Sequence, residues 1–197
     1  MRRWWIGVLL ALVVVLLVAC SGASAGGAKQ AASAETMTEG IYLIDAASVR
    51  RTSSPPAEGD QAPDFTFVSE DGKEFSLRDF HGHPVVINFW ATWCPPCRME
   101  MPALDQAYHA HKDNGLVMLA VEEMDKRADV LAFRQQMNVS LPMLLDTQGL
   151  VGRTYMVRGL PTTFFIDGEG RVVIRWTGML TEESLQKNLQ VLFERSG

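Results

Sequence analysis

The segment "PVVINFWATWCPPCRMEMP", residues 84–102, constrains the fold of this chain more than any other. Residues 84–91 form a continuous apolar run of strand length, the pattern of a central strand covered on both faces. A short turn, "ATW", follows, and helical spacing starts at or just after Cys94 and continues to His111. Pro102 interrupts that spacing and is expected to kink the helix. A buried strand feeding straight into a helix requires layers of helix packed on a sheet.

The same segment places two thiols at the helix start. Unpaired backbone N–H groups and the helix dipole favour an anion there. A thiolate is such an anion, and these positions lower a cysteine pKa from ~8.5 to about 3.5–7.5. Cys97 follows one turn later on the same side, close enough to close a disulfide with Cys94. Pro95 and Pro96 suit the first turn, since the N–H groups they lack would have no helical partner. A purely structural disulfide across so small a loop would remove little chain entropy. A zinc site would need two further ligands, and the chain has no second cysteine pair. His81, His83, His109 and His111 lie on polar segments and read as solvated surface. The spacing therefore points to a reversible, redox-active disulfide, with no metal.

The compartment agrees with that chemistry. Arg2 and Arg3 precede an apolar core from Trp4 to Val18, of signal-peptide length and slightly short for a membrane span. The ending Leu17-Val18-Ala19-Cys20 resembles the bacterial lipobox, which implies cleavage before Cys20 and lipidation of that cysteine. Residues 1–19 are thus expected to be a lipoprotein signal peptide. Residues 20–56, beginning "CSGASAGGAKQAASAE", read as a lipidated N-terminus and flexible tether. The domain would then lie outside the cytoplasm, on the outer face of a bacterial membrane, where disulfides persist. A net charge of -5 and the lack of a basic stripe argue against nucleic acid as a partner.

The globular domain is assigned to residues 57–197. "IYLIDAAS" (41–48) is apolar enough for a short strand or a cover but has no evident place, and Pro55, Pro56 and Pro63 mark the following segment as loop. "FTFVSEDGKEFSL" predicts a hairpin turning at Asp71-Gly72. "GLVMLAVE" and "LPMLLD" predict buried strands, "RADVLAFRQQMN" and "QGLVGRTYMV" helices, and "PTTFFID" with "RVVIRWTG" a second hairpin. A closing helix starts after Thr181, its expected cap. The alternation gives a three-layer α/β domain.

"FWATWCPPCRMEMP" and "GLPTTFFID" together resemble the thioredoxin superfamily. "EGDQAPDFTF", "SLRDFHGHPVVINFWATWC" and a helix-strand unit inserted before "GLPTTFF" resemble its TlpA/ResA branch of extracytoplasmic, membrane-tethered thiol-disulfide oxidoreductases. The resemblance runs from about Gly59 to the C-terminus. It implies a thioredoxin-like fold with a central mixed sheet flanked by helices, and Cys94 as the exposed nucleophile with Cys97 as its buried resolving partner. Pro161 would be the family's cis-proline, leaving the Leu160 backbone free to pair with a client, and Trp93 would shield the thiols. The buried aspartate of cytoplasmic thioredoxins is replaced by Asn88, which cannot accept a proton. The branch's acid after the next strand falls at Asp125, with Glu122 and Glu123 just upstream, so the proton acceptor is Glu122 or Asp125.

The implied activity is disulfide reduction in client proteins, such as the C-x-x-C-H cysteines of apocytochrome c. Re-reduction would come from a membrane electron-donor protein of the CcdA/DsbD kind, with no metal or organic cofactor. Two alternatives remain. "GDQAPDF" also opens peroxiredoxins, although a peroxidatic cysteine lacks the close downstream partner seen here. A non-catalytic peptide-binding module would use the Pro161 edge without the thiols.

Overall fold

The computed structural model describes residues 37–49 and 52–196. Eight strands form one sheet: β1 (Ile41–Ile44), β2 (Thr66–Ser69), β3 (Glu74–Ser76), β4 (Val85–Trp90), β5 (Val117–Glu123), β6 (Met143–Asp146), β7 (Thr162–Ile166) and β8 (Val172–Thr177). Their lateral order is β3-β2-β1-β6-β5-β4-β7-β8. The four inner strands β1, β6, β5 and β4 run parallel, and antiparallel pairs extend the sheet on both sides. Four helices cover it: α1 (Pro95–His111), α2 (Arg127–Met137), α3 (Leu150–Thr154) and α4 (Glu182–Ser196).

Alternation along the strands explains the uninterrupted apolar runs. Val86 and Trp90 of β4, with Met118 and Ala120 of β5, enter a core shared with α1, α2 and α4. Val85, Ile87 and Phe89, with Val117, Leu119 and Val121, enter a second core beneath α3 and the 3-10 turn Leu77–Phe80. Every residue of β4 is buried, because each face has its own layer. The second core is aromatic: Phe67 stacks on Phe75 with centroids 5.5 Å apart, and Tyr42 meets both edge-on.

Both hairpins, the helix-strand unit α2–β6 and the closing helix form as the sequence predicts. Ser184 donates its backbone N–H to Thr181 Oγ1 at 3.1 Å, capping α4. α1 continues unbroken through Pro102, which sits on its exposed side. One boundary is corrected. The expected tether, residues 20–56, contains β1, which pairs with β6 through Ile41↔Met143 and with β2 through Leu43↔Val68. Ile41 and Tyr42 are buried, and the Tyr42 hydroxyl donates to the Thr38 carbonyl at 2.7 Å. The globular unit thus begins at least as early as Met37, and the proline-rich stretch is a connection inside the domain. The expected signal peptide, the lipidation at Cys20 and the first part of the tether lie outside the described residues.

Candidate active site

β4 ends at Trp90 and the chain turns through Ala91, Thr92 and Trp93 before α1 begins. Cys94 is the N-cap of α1, with Pro95 and Pro96 in its first turn, and its Sγ accepts the Cys97 N–H at 3.3 Å. The two cysteines form a disulfide with their Cα atoms 5.3 Å apart. Cys97 is fully buried. Cys94, expected to be exposed, has only 4% of its surface accessible in this oxidised pair, since its sulfur turns toward Cys97 and the helix. Trp93, next to Cys94 in the turn, is 66% exposed. Met99, Met124 and Met179 are the exposed methionines in the segments that flank this end of the sheet.

The Leu160–Pro161 peptide is cis. Phe89 of β4 pairs with Thr162 of β7, which sets Pro161 beside the end of β4, where the turn to Cys94 starts. Pro161 is buried, and its carbonyl accepts the Gly178 N–H at 2.9 Å. Leu160 is half-buried and packs against both cores.

The two candidate acids occupy different places. Asp125 Oδ2 accepts the Thr92 N–H at 2.7 Å, so it grips the turn that carries Cys94. Glu122 is fully buried behind it, and its Oε1 accepts the Asp125 N–H at 2.6 Å. Burial pushes the Glu122 carboxyl up to about 8, with the charges of Asp125 and Glu123 adding to the rise and the Asp125 N–H opposing it. Glu123 points to the opposite face of the sheet, by strand alternation, toward α3. Its carboxyl oxygen occupies the space a Cβ at Gly152 would need, 1.7 Å away. Burial, then the charge of Asp146, raises Glu123 to about 7.

Sequence reading missed Glu100. It lies one turn beyond Cys97 on the inner side of α1 and is 2% exposed. Asn88 donates its amide to Glu100 Oε1 at 2.8 Å and to Thr163 Oγ1 at 2.9 Å, and the Leu180 N–H reaches Glu100 Oε2 at 2.6 Å. Desolvation pushes its carboxyl up to about 7 against those hydrogen bonds. The available signal was the helical offset of three from Cys97, combined with a buried amide at Asn88 in need of an acceptor. Among the described residues no group of three or more His, Cys, Asp or Glu side chains is placed to hold a metal ion.

A disulfide-bonded pair at a helix start, a cis-proline beside it and this sheet order define a thioredoxin-like thiol-disulfide oxidoreductase, which acts on disulfides of client proteins. The comparisons agree. A model of the AhpC/TSA family matches residues 58–175. The thiol-disulfide oxidoreductase ResA of Geobacillus thermodenitrificans is 37% identical over 134 residues, 68% of this chain and 77% of that protein. ResA of Bacillus subtilis is 37% identical over 136 residues, 69% of this chain and 76% of its own length. Among solved structures, a putative thiol:disulfide interchange protein DsbE from Chlorobium tepidum superposes with a TM-score of 0.65 at 32% identity, covering 72% of this chain and 99% of its own. The chain belongs to the AhpC/TSA family of thioredoxin-fold proteins and, within it, to the ResA-like thiol-disulfide oxidoreductases.

Proposed function

We propose that this protein is a membrane-anchored, extracytoplasmic reductant of client disulfides, with Cys94 as nucleophile and Cys97 as resolving thiol. The observation that carries the reading is the asymmetry of the pair: Cys94 caps the helix, whereas Cys97 has no accessible surface. In the reduced enzyme the Cys94 thiolate attacks one sulfur of a client disulfide, and the other client sulfur leaves as a thiolate that takes up a proton. Cys97 then loses its proton and attacks Cys94 Sγ. The second client sulfur departs, and the enzyme is left with the disulfide described above. Two electrons pass to the client, and a membrane electron-donor protein of the CcdA/DsbD kind returns them.

The client lies as an extended segment along Leu160 and Pro161, with Trp93 as an apolar contact on the other side of the sulfurs. The lipobox-like ending at Cys20 supports an anchor on the outer face of the membrane; among the described residues no helix is long and apolar enough to cross one. The disulfide of an apocytochrome c C-x-x-C-H segment is the proposed client, on the strength of the family resemblance. Incubating the reduced protein with an oxidised C-x-x-C-H peptide and following free thiols tests the reading. Stoichiometric peptide reduction supports it; peroxide consumption without peptide reduction replaces it with the peroxidase alternative.

A further inference from the structure

We infer that Glu122 is a positioning residue of the dithiol reaction: through Asp125 and Thr92 it sets the turn that carries Cys94 and links that turn to the protonation of a buried acid. The inference rests on the oxidoreductase reading and assigns distinct roles to the two candidate acids.

The path is continuous. Glu122 Oε1 takes the Asp125 N–H at 2.6 Å, and Asp125 Oδ2 takes the Thr92 N–H at 2.7 Å. The Thr92 carbonyl accepts Arg98 Nη1 at 3.2 Å, and Arg98 directly follows Cys97. The Arg98 guanidinium lies 5.1 Å from the centre of the Phe133 ring, and that ring packs at 4.6 Å on Trp90. Trp90 is the register partner of Glu122 across the parallel β4–β5 pair. The residues thus close a circuit around the turn from β4 to α1. Two polar atoms in this circuit are buried with no partner: Glu122 Oε2 and Trp90 Nε1. A buried acid with one oxygen committed to the circuit and the other unpaired is poorly explained as a stability device, because an unmet polar group costs free energy.

Its surroundings say which charges it senses. Asp125 faces it from the β5–α2 turn, and α1 brings Arg98 to the circuit and the two cysteines to the same core layer. α2 contributes Val130, Phe133 and, partly buried, Met137 to that layer, and β6 sets Leu145 opposite Glu122. Glu123 points to the other face, and Glu100 is held by Asn88 and Leu180. When the disulfide opens, negative charge forms on sulfur in this layer. A neutral Glu122 tolerates that charge and an ionised one opposes it, so acid and thiols titrate as a coupled set. The raised carboxyl of Glu122, about 8, places this coupling where thiols ionise.

The test is the pH profile of Cys94 alkylation in the reduced protein, for the wild type, Glu122→Gln and Glu123→Gln. The wild type should give two steps. Glu122→Gln should leave a single step and speed Cys94 alkylation between the two wild-type midpoints, by up to about three- to tenfold for a coupling of half to one pKa unit. Glu123→Gln should retain both steps, and Glu122→Asp should restore the second. Superimposable wild-type and Glu122→Gln profiles overturn the assignment. Should Glu122→Gln fail to fold, infrared titration of isotope-labelled glutamate in the wild type decides. A carboxyl midpoint that differs between disulfide and dithiol forms supports the role, and one that does not move overturns it. Loss of client reduction by the wild type itself would strike the oxidoreductase reading instead, independently of Glu122.

Discussion

Replacing Glu100 by Ala should destabilise the oxidised protein by an amount that shrinks as pH rises. Two opposing contributions set the size. The substitution leaves the Leu180 N–H without its acceptor, which costs about 1–3 kcal/mol in a buried site. It also removes one of two bonds made by the Asn88 amide, which keeps Thr163 and so loses only about 1 kcal/mol. The deficit in acid is therefore roughly 2–4 kcal/mol. The wild type carries a burden the variant lacks. Its Glu100 carboxyl is raised from 4.5 to about 7 by burial, so the folded state holds a proton that the unfolded chain has already released. Stability from this group is complete below pH 4.5 and is lost as pH climbs to about 7. The loss is worth about 3 kcal/mol at 1.36 kcal/mol per unit, with little solvent screening at 2% exposure. The gap between wild type and Glu100→Ala should thus close by about 3 kcal/mol between pH 4.5 and pH 8. Urea denaturation of the disulfide form across that range measures it, provided the slopes match. A gap that stays constant, or widens with pH, refutes the reasoning.

Further expectations follow from other parts of the structure. Pro161→Ala should slow client reduction without unfolding the domain, measured by single-turnover kinetics beside a thermal melt. Deleting the chain through Ile44 should cost about 3–6 kcal/mol, the burial of Ile41 and Tyr42 alone, and lower the urea midpoint accordingly. Mass spectrometry of native protein should find an acylated Cys20 as first residue; an intact Met1 with its leader would contradict the proposed anchor.

The parts of the fold readable from sequence are those set by local pattern. The run from Val85 to Trp90 announces a strand buried on both faces, and the Cys94–Cys97 spacing announces chemistry as soon as a helix start is placed there. β1 was not readable in position, because its partner Met143 is distant in sequence and the intervening prolines look like a domain boundary. Glu100 looks like any helix carboxylate until the turn after β8 brings Leu180 over it. Glu122 and Glu123 are equivalent as letters. Strand alternation separates them, one toward the dithiol layer and one toward Gly152, and that parity needs the register of β5 against β4.

The central claim is that Cys94 attacks and Cys97 resolves, and trapping tests it most directly. Cys97→Ala keeps the attacking thiolate and removes the resolving one, so non-reducing gels should show mixed disulfides between Cys94 and client chains. Cys94→Ala should trap nothing and reduce nothing. Clients captured by Cys94→Ala and not by Cys97→Ala would reverse the two roles and contradict the site geometry described here.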